Sequence, residues 1–242
     1  MFDLTGKKAL VTGSTQGIGK AIAELLAKQG ATVYINGATS EEKIAAVVAG
    51  IPGSKPALAD LSKNDCAEKL YAITGDIDIL VLNASVQFKR PWDEIPDEEF
   101  DKQININFKA SYKLIQKYAP HMKEQGWGRI VTIGSVQQKK PHKEMLIYAA
   151  TKAAQLSMVT NLAKQLAPFG VTVNNVAPGV IATPRNDKAL ADEVYAKQVY
   201  AGIPCGYAGC SEDCAAQVLL LCSDEGRYIT GDDIYIDGGM SL

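Results

Sequence analysis

The chain of 242 residues is 47% hydrophobic and 21% charged, proportions ordinary for one globular domain and wrong for disorder, collagen or coiled coil. Its 25 lysines and arginines against 27 acids leave a net charge of −2; without a basic excess to neutralise a phosphate backbone, nucleic acid is excluded as the main partner. No apolar run approaches the ~18 residues of a membrane span, and the start, Met1-Phe2-Asp3-Leu4-Thr5-Gly6, has no cationic and apolar signal region, so the expectation is a cytoplasmic protein with no membrane partner.

Short β-branched runs alternate with longer stretches of helical spacing. Residues 9–12 predict the first strand, and Ile18, Ile22, Leu25 and Leu26 mark the apolar face of the helix behind it. Strands follow at 32–35 and 77–82, with a weaker one over 55–61. A long helix over 96–125 precedes the strand at 130–133. Another over 146–167, with Leu156, Val159, Leu162 and Leu166 on one face, precedes the strand at 171–176. A stretch of helical character, 186–202, leads toward the last strand at 234–236. Strands apolar on both sides that alternate with helices predict α/β architecture: a single doubly wound Rossmann-type domain over 1–242, its parallel seven-stranded sheet covered by helices on both faces. Ligands in such folds bind beyond the carboxyl ends of the strands. The loops that follow each strand are therefore the ones to read for function.

The loop after the first strand is Thr12-Gly13-Ser14-Thr15-Gln16-Gly17-Ile18-Gly19, immediately before an amphipathic helix. Glycines there permit a tight turn and bring backbone N–H groups to an anion at a helix N-terminus. Five cysteines, Cys66, Cys205, Cys210, Cys214 and Cys222, lack paired C-x2-C spacing, and His121 and His142 are distant in sequence. Free thiols and no metal are the expectation.

The T-G-x3-G-x-G loop resembles that of the classical short-chain dehydrogenase/reductase family, and the resemblance then spreads over nearly the whole chain. Asp60-Leu61 matches the family's adenine-contacting acid and its neighbour. Asn83-Ala84-Ser85 resembles its N-A-G element. Asn107 sits at its helical asparagine position, Ser135 ends the fifth strand, Tyr148-x3-Lys152 opens the next helix, and Pro178-Gly179 with Ile181 and Thr183 follow the sixth strand. The resemblance implies a nicotinamide cofactor bound through these elements, from Gly13 to Thr183. It assigns Tyr148 as general acid/base, Ser135 as the group orienting the substrate oxygen, Lys152 as ribose ligand and tuner of the tyrosine, and Asn107 as the holder of a relay water. It also implies a homotetramer or, less often, a dimer.

The chemistry of these residue types agrees. A free phenol titrates near ~10 and is a poor base at neutral pH. Four residues apart on a helix, Tyr148 and Lys152 share a face, and a neighbouring ammonium favours the phenolate. A serine hydroxyl can donate to an oxygen that gains charge. The reaction expected is hydride transfer between NAD(P) and a carbonyl/secondary-alcohol pair.

Two departures stand out. Ser85 replaces the glycine of N-A-G, which would cost ~1 kcal/mol or more if the position required positive φ. The second strand runs into Asn36-Gly37-Ala38-Thr39-Ser40 with no acid to accept a ribose hydroxyl. Asn36 and Thr39 are placed as cofactor contacts, and the balance leans to NADP(H) over NAD(H). On the substrate side, Gln87, Gln137, Gln138 and Arg185 fall in loops expected at the mouth, with Lys89, Arg90, Lys139, Lys140, His142 and Lys143 nearby. Such groups suit a sugar, polyol or sugar acid better than a steroid or long acyl chain. A lid is expected over about 184–210. The alternative within the enzyme class is a 3-oxoacyl-acyl-carrier-protein reductase. Relatives of that branch dock the acidic carrier through basic residues at positions that here carry Gly126 and Phe169, with Arg129 and Lys123 close by. A non-catalytic nucleotide-binding regulatory module is the alternative of another class; such a module has no chemical reason to keep Ser135, Tyr148, Lys152 and Asn107 together.

Overall fold

The computed structural model describes residues 2–242, apart from the side chains of Lys188 and Ala189. Strand β1 (Lys8–Val11) leads into α1 (Gly17–Lys28), β2 (Thr32–Gly37) into α2 (Glu41–Gly50), and β3 (Lys55–Leu58) into α3 (Cys66–Thr74). Then come β4 (Ile79–Leu82), α4 (Asp97–Gln103) and α5 (Ala110–Gln125), β5 (Gly128–Ile133) and α6 (Leu146–Leu166). Strand β6 (Val171–Pro178) is followed by α7 (Asp187–Leu190), α8 (Glu193–Ala201), α9 (Ser211–Cys222) and β7 (Asp233–Ile236).

The strands form one parallel sheet in the order β3-β2-β1-β4-β5-β6-β7, so the chain reverses its winding between β1 and β4. Period-two alternation divides the sheet's side chains between two cores. Leu10, Leu80 and Leu82 face α3, α5 and α6, while Ala9, Val11, Ile79 and Val81 face α1, α2 and α9. Burial on both faces explains why the strands read as unbroken apolar runs.

The predicted helix over 96–125 exists, with an interruption. Between α4 and α5 the chain forms a wider π-helical turn, Ile104–Lys109, centred on the buried Asn107. Such single-turn widenings occur where a side chain inside a helix is drawn to a partner outside it. The stretch 186–202 is likewise broken in two, because Asp192 leaves helical geometry to cap α8, accepting from the N–H groups of Val194 and Tyr195. In α6 the buried stripe is rotated from the predicted one. Tyr148, Thr151, Lys152 and Gln155 continue into Val159, Ala163 and Leu166, leaving Leu156 and Leu162 half-buried. The first half of the helix buries polar groups, which hydropathy alone does not announce.

Candidate active site

Loops at the carboxyl ends of β1 to β6 enclose a cavity of about 710 Å3 on the side of the sheet predicted. Its cofactor end is made mostly of backbone. Gly13 and Gly17 hold φ of +62° and +54°, conformations that glycine adopts without strain. A Cβ on Gly19 would meet the side-chain amide of Asn83 and lie 2.7 Å from the Gly13 carbonyl oxygen. Asn83 uses that amide to donate to the carbonyl oxygens of Thr12 (2.8 Å) and Gly13 (3.1 Å), and the Thr12 hydroxyl accepts from the N–H groups of Asn83 and Ala84, both at 3.0 Å. Two adjacent strands are thereby tied together beneath the glycine loop. Thr15, Gln16, Gly17, Ile18, Asp60, Leu61, Ala84 and Ser85 border the cavity with it.

Of the predicted cofactor contacts, Ser14, Thr39 and Lys152 lie outside the cavity lining, and Asn36 borders it with its side chain turned away. Ser14 is buried, donating to the Val11 carbonyl oxygen (2.7 Å) and accepting from the Asn36 N–H (3.0 Å). Asn36 borders the cavity, but its side chain turns inward, accepting from the Gly13 N–H (3.1 Å) and donating to the carbonyl oxygens of Ala57 (2.9 Å) and Ala59 (3.2 Å). Thr39 is exposed and outside the cavity lining. The uncharged Asn36 amide thus braces the glycine loop against β3 and the chain just beyond it.

At the other end, Ser135 and Tyr148 both line the cavity and are 9% and 5% exposed. Ser135 Oγ accepts from the Gln137 N–H (3.2 Å), which leaves its own proton to donate. Lys152 Nζ lies 5.6 Å from the Tyr148 ring centre, is fully buried, and donates to the Ile133 carbonyl oxygen (2.7 Å) and to Gln155 Oε1 (2.9 Å). Burial, with a smaller effect from the Arg185 guanidinium, pulls its ammonium down to about 7. Asn107 does not line the cavity. Its amide donates to the Val86 carbonyl oxygen (2.9 Å) and Thr151 Oγ1 (3.1 Å) and accepts from the Val86 N–H (2.8 Å). Both ends of that side chain are committed, so a water can be held only through its peptide oxygen, which already accepts from Ser111 Oγ (3.1 Å).

Of the predicted substrate contacts, Gln87, Gln137 and Arg185 line the cavity and Gln138 does not. Gln138 Nε2 donates to both oxygens of the half-buried Asp233, at 2.8 Å each, fastening the turn behind Ser135 to β7. Arg185 reaches across from the loop after β6 to Ser85, its Nη2 2.7 Å from the Ser85 carbonyl oxygen and its Nη1 3.2 Å from Oγ. Phe2 is the one non-glycine residue with positive φ among the described residues, so Ser85 carries no backbone strain. Lys89, Lys140, His142, Tyr195, Gln198 and Met240 also border the site; the last three came from elements too far along the chain for spacing to connect. Arg129, expected near a carrier-docking surface, is 2% exposed and donates to the carbonyl oxygens of Gly128, Gly170 and Ser223. Cys205 and Cys210 are exposed, while Cys66, Cys214 and Cys222 are buried free thiols.

A family model described as enoyl-(acyl carrier protein) reductase matches residues 13–241. The chain is 39% identical over 247 residues to 3-oxoacyl-[acyl-carrier-protein] reductase of Escherichia coli, covering 100% of both chains. Among solved structures it is similar to 3-oxoacyl (acyl-carrier-protein) reductase of Agrobacterium tumefaciens C58 with NADP bound, with a TM-score of 0.93, 34% identity and coverage of 98% and 95% of the two chains. It is similar also to gluconate 5-dehydrogenase of Burkholderia cenocepacia J2315 in complex with NADP and tartrate, with a TM-score of 0.91, 29% identity and coverage of 99% and 97%. With the strand order, the glycine loop, and Ser135 and Tyr148 on one cavity with Lys152 buried behind the tyrosine, the conclusion is direct: the chain belongs to the short-chain dehydrogenase/reductase family and is an NAD(P)-dependent oxidoreductase of carbonyl/alcohol pairs.

Proposed function

We propose that the protein interconverts a secondary alcohol and a carbonyl on a small polar substrate, a sugar, polyol or sugar acid, and that it prefers NADP(H) to NAD(H). The observation that carries the substrate reading is the charge of the lining. Arg185, Lys89 and Lys140 border the cavity, whereas among the described residues Asp60, on the β3 side, is the one acid that does. A long acyl chain or steroid would leave these cations desolvated and unpaired, while a carboxylated polyhydroxy compound would meet them. Of the acid-bearing candidates the charge favours the sugar acid.

The glycine loop suits a dinucleotide: Gly17 has room toward Thr183, whose nearest side-chain atoms are 3.5 Å from a Cβ placed there, and the volume falls in the usual range of about 300–1,000 Å3 for small-molecule sites. The nicotinamide cofactor, when bound, supplies or accepts the hydride. Tyr148 Oη gives the substrate's carbonyl oxygen its proton in reduction and takes it from the alcohol in oxidation. Ser135 Oγ–H donates to the same oxygen and orients it. Lys152 holds its ammonium behind the Tyr148 ring and is the group placed to meet a ribose hydroxyl, and Asn107 keeps the loop carrying Val86 in place. The preference for NADP(H) rests on the absence of a carboxylate over residues 36–40 at the end of β2 and on NADP in the similar structures named above. Residues 184–210 form the lid in this reading: Tyr195 and Gln198 of α8 border the cavity, and the segment's base is pinned where the Gly209 N–H donates to the Val180 carbonyl oxygen (3.0 Å). Phe100, Tyr112 and Leu146, 41%, 47% and 50% exposed, give the long helices apolar surface for a homotetramer.

Reduction of a carrier-bound 3-oxoacyl group is the weaker reading, because Arg129 is spent inside the fold and Lys123 lies over the Phe169 ring at 4.2 Å. The test is a substrate panel of sugar acids, polyols, hydrophobic ketones and 3-oxoacyl thioesters with both cofactors. Sugar acids should lead, and Arg185→Gln should cut kcat/KM on them by about 10- to 100-fold, the worth of a charge-assisted hydrogen bond, while changing uncharged polyols little. Preference for hydrophobic ketones or thioesters overturns the proposal.

A further inference from the structure

Two buried polar side chains behind the site take no part in the reading above. Gln155 is wholly inaccessible on α6 and Ser111 is 4% exposed on α5. A buried amide without partners costs ~1–3 kcal/mol, and here every polar end is used. Gln155 Oε1 accepts from Lys152 Nζ (2.9 Å), Gln155 Nε2 donates to Ser111 Oγ (2.9 Å), and Ser111 Oγ donates to the Asn107 carbonyl oxygen (3.1 Å). Lys152 and Gln155 stand three residues apart on one face of α6, as i,i+3 neighbours do. One turn closer to the cavity, Asn107 Nδ2 bonds to Thr151 Oγ1, so two successive rungs, 107–151 and 111–155, bind the π-helical segment and α5 to α6.

We infer that Gln155, held by Ser111, is a positioning residue that fixes the Lys152 ammonium behind Tyr148 and keeps it charged. The inference rests on the role proposed above for Lys152. An ammonium with three protons needs fixed acceptors when it is cut off from water. The Ile133 carbonyl oxygen takes one proton and Gln155 Oε1 a second, so Gln155 supplies one of the two acceptors that hold the buried ammonium. The other groups facing Lys152 do not substitute for Gln155: the Tyr148 phenol lies on its own helix, and Arg185 opposes its charge from the loop after β6. Asn107 and Ser111, on the neighbouring helix, are neutral. A neutral amide acceptor favours the ammonium without cancelling its field, as a carboxylate would. The Ser111 hydroxyl sets which end of the amide faces the lysine: with its proton committed to the Asn107 carbonyl oxygen it can only accept from Gln155, so it meets Nε2 and leaves Oε1 to the lysine.

The experiment replaces Gln155 by Met, an isostere without the acceptor that a core tolerates well, and by Glu, an isostere that keeps it. The readouts are the titration of Lys152 followed by NMR in the cofactor-free protein with labelled lysine, kcat at pH 7, and Tm. Gln155→Met should lower the Lys152 pKa by about one unit, leaving about a tenth of the molecules charged at pH 7 and reducing kcat by about five- to tenfold. Gln155→Glu should return the titration to or above the parent's. Ser111→Ala, which leaves the acceptor but frees its orientation, should move it in the same direction as Met by a smaller amount, and serves if the Met variant does not fold. Titrations that superimpose on the parent's in Gln155→Met, or in Ser111→Ala where that variant stands in, overturn the inference, whatever happens to Tm. Lys152→Met separates the two readings: parental activity in that variant overturns the role of Lys152 itself, whereas an inactive Lys152→Met beside an unmoved Gln155→Met overturns only the part played by Gln155.

Discussion

The two ends of the cavity are built in opposite ways. Under the glycine loop, the cavity wall is left to backbone: Gly13, Gly17 and Gly19 bring the chain close, and Thr12, Ser14, Asn36 and Asn83 spend their side chains on bonds within the fold. At the catalytic end the side chains themselves are the site, and Lys152, Gln155, Ser111, Asn107 and Thr151 form a buried polar cluster between α6 and the segment before it. The difference teaches where each end is vulnerable. A phosphate is met by many N–H groups at a helix N-terminus, so the first end depends on shape and close approach. A proton is handled at one atom, so the second depends on a single geometry and on the charge state of its neighbours.

That contrast can be broken by substitution. The largest effect is expected from Tyr148→Phe, which removes the proton-bearing atom and leaves the loop untouched. Turnover should fall by about 10^2–10^4-fold in steady-state assays while cofactor affinity, measured by fluorescence titration, stays within a few fold. Gly19→Ala should do the reverse. Its Cβ would collide with the Asn83 amide and the Gly13 carbonyl oxygen, both part of the strand-to-strand tie, so the cofactor dissociation constant should rise by about tenfold or more, some 1.4 kcal/mol, with a lower Tm. A variant that binds cofactor like the parent would mean that the loop is not held as described.

The pH dependence of stability is the most telling test of the polar end. Lys152 titrates near 7 in the folded chain against 10.5 for the free group, so between these values the unfolded chain binds more protons and stability rises with pH. The burial penalty is full below about pH 7 and fades toward 10.5. Lys152→Met has no such penalty. Chemical denaturation of the two proteins should therefore place Lys152→Met at its greatest relative advantage near pH 6, shrinking as the pH is raised toward 10. A difference independent of pH would show that Lys152 is not desolvated in this way.

Particular residues show which features were legible in the sequence. The glycines of the loop, Ser135, Tyr148 and Lys152 are legible because each lies at the end of a strand or on a helix face that local pattern locates. Gln155 and Ser111 are not, since a polar residue at a helical position reads as solvent-facing until a partner from another helix is known. Gln138 and Asn36 read the other way: both lie at a strand's carboxyl end or just beyond one, where a polar group suggests a ligand, yet Asp233 on β7 and the Ala57 carbonyl of β3 hold their amides. Ser85, suspect for strain, proves unstrained because the backbone there stays at negative φ, and its side chain meets Arg185 from a hundred residues away.

By itself the amino-acid sequence determined the alternation of strand and helix, the parallel sheet and the order of the motifs, because periodicity and glycine spacing are local properties. Tertiary structure alone decided which polar side chains face the cavity and which brace it. It turned Asn36 and Gln138 inward, widened the helix at Asn107, sank Arg129 and placed an amide against Lys152. Buried hydrogen bonds are satisfied by whichever group the fold brings within reach, and that group is seldom a neighbour in sequence.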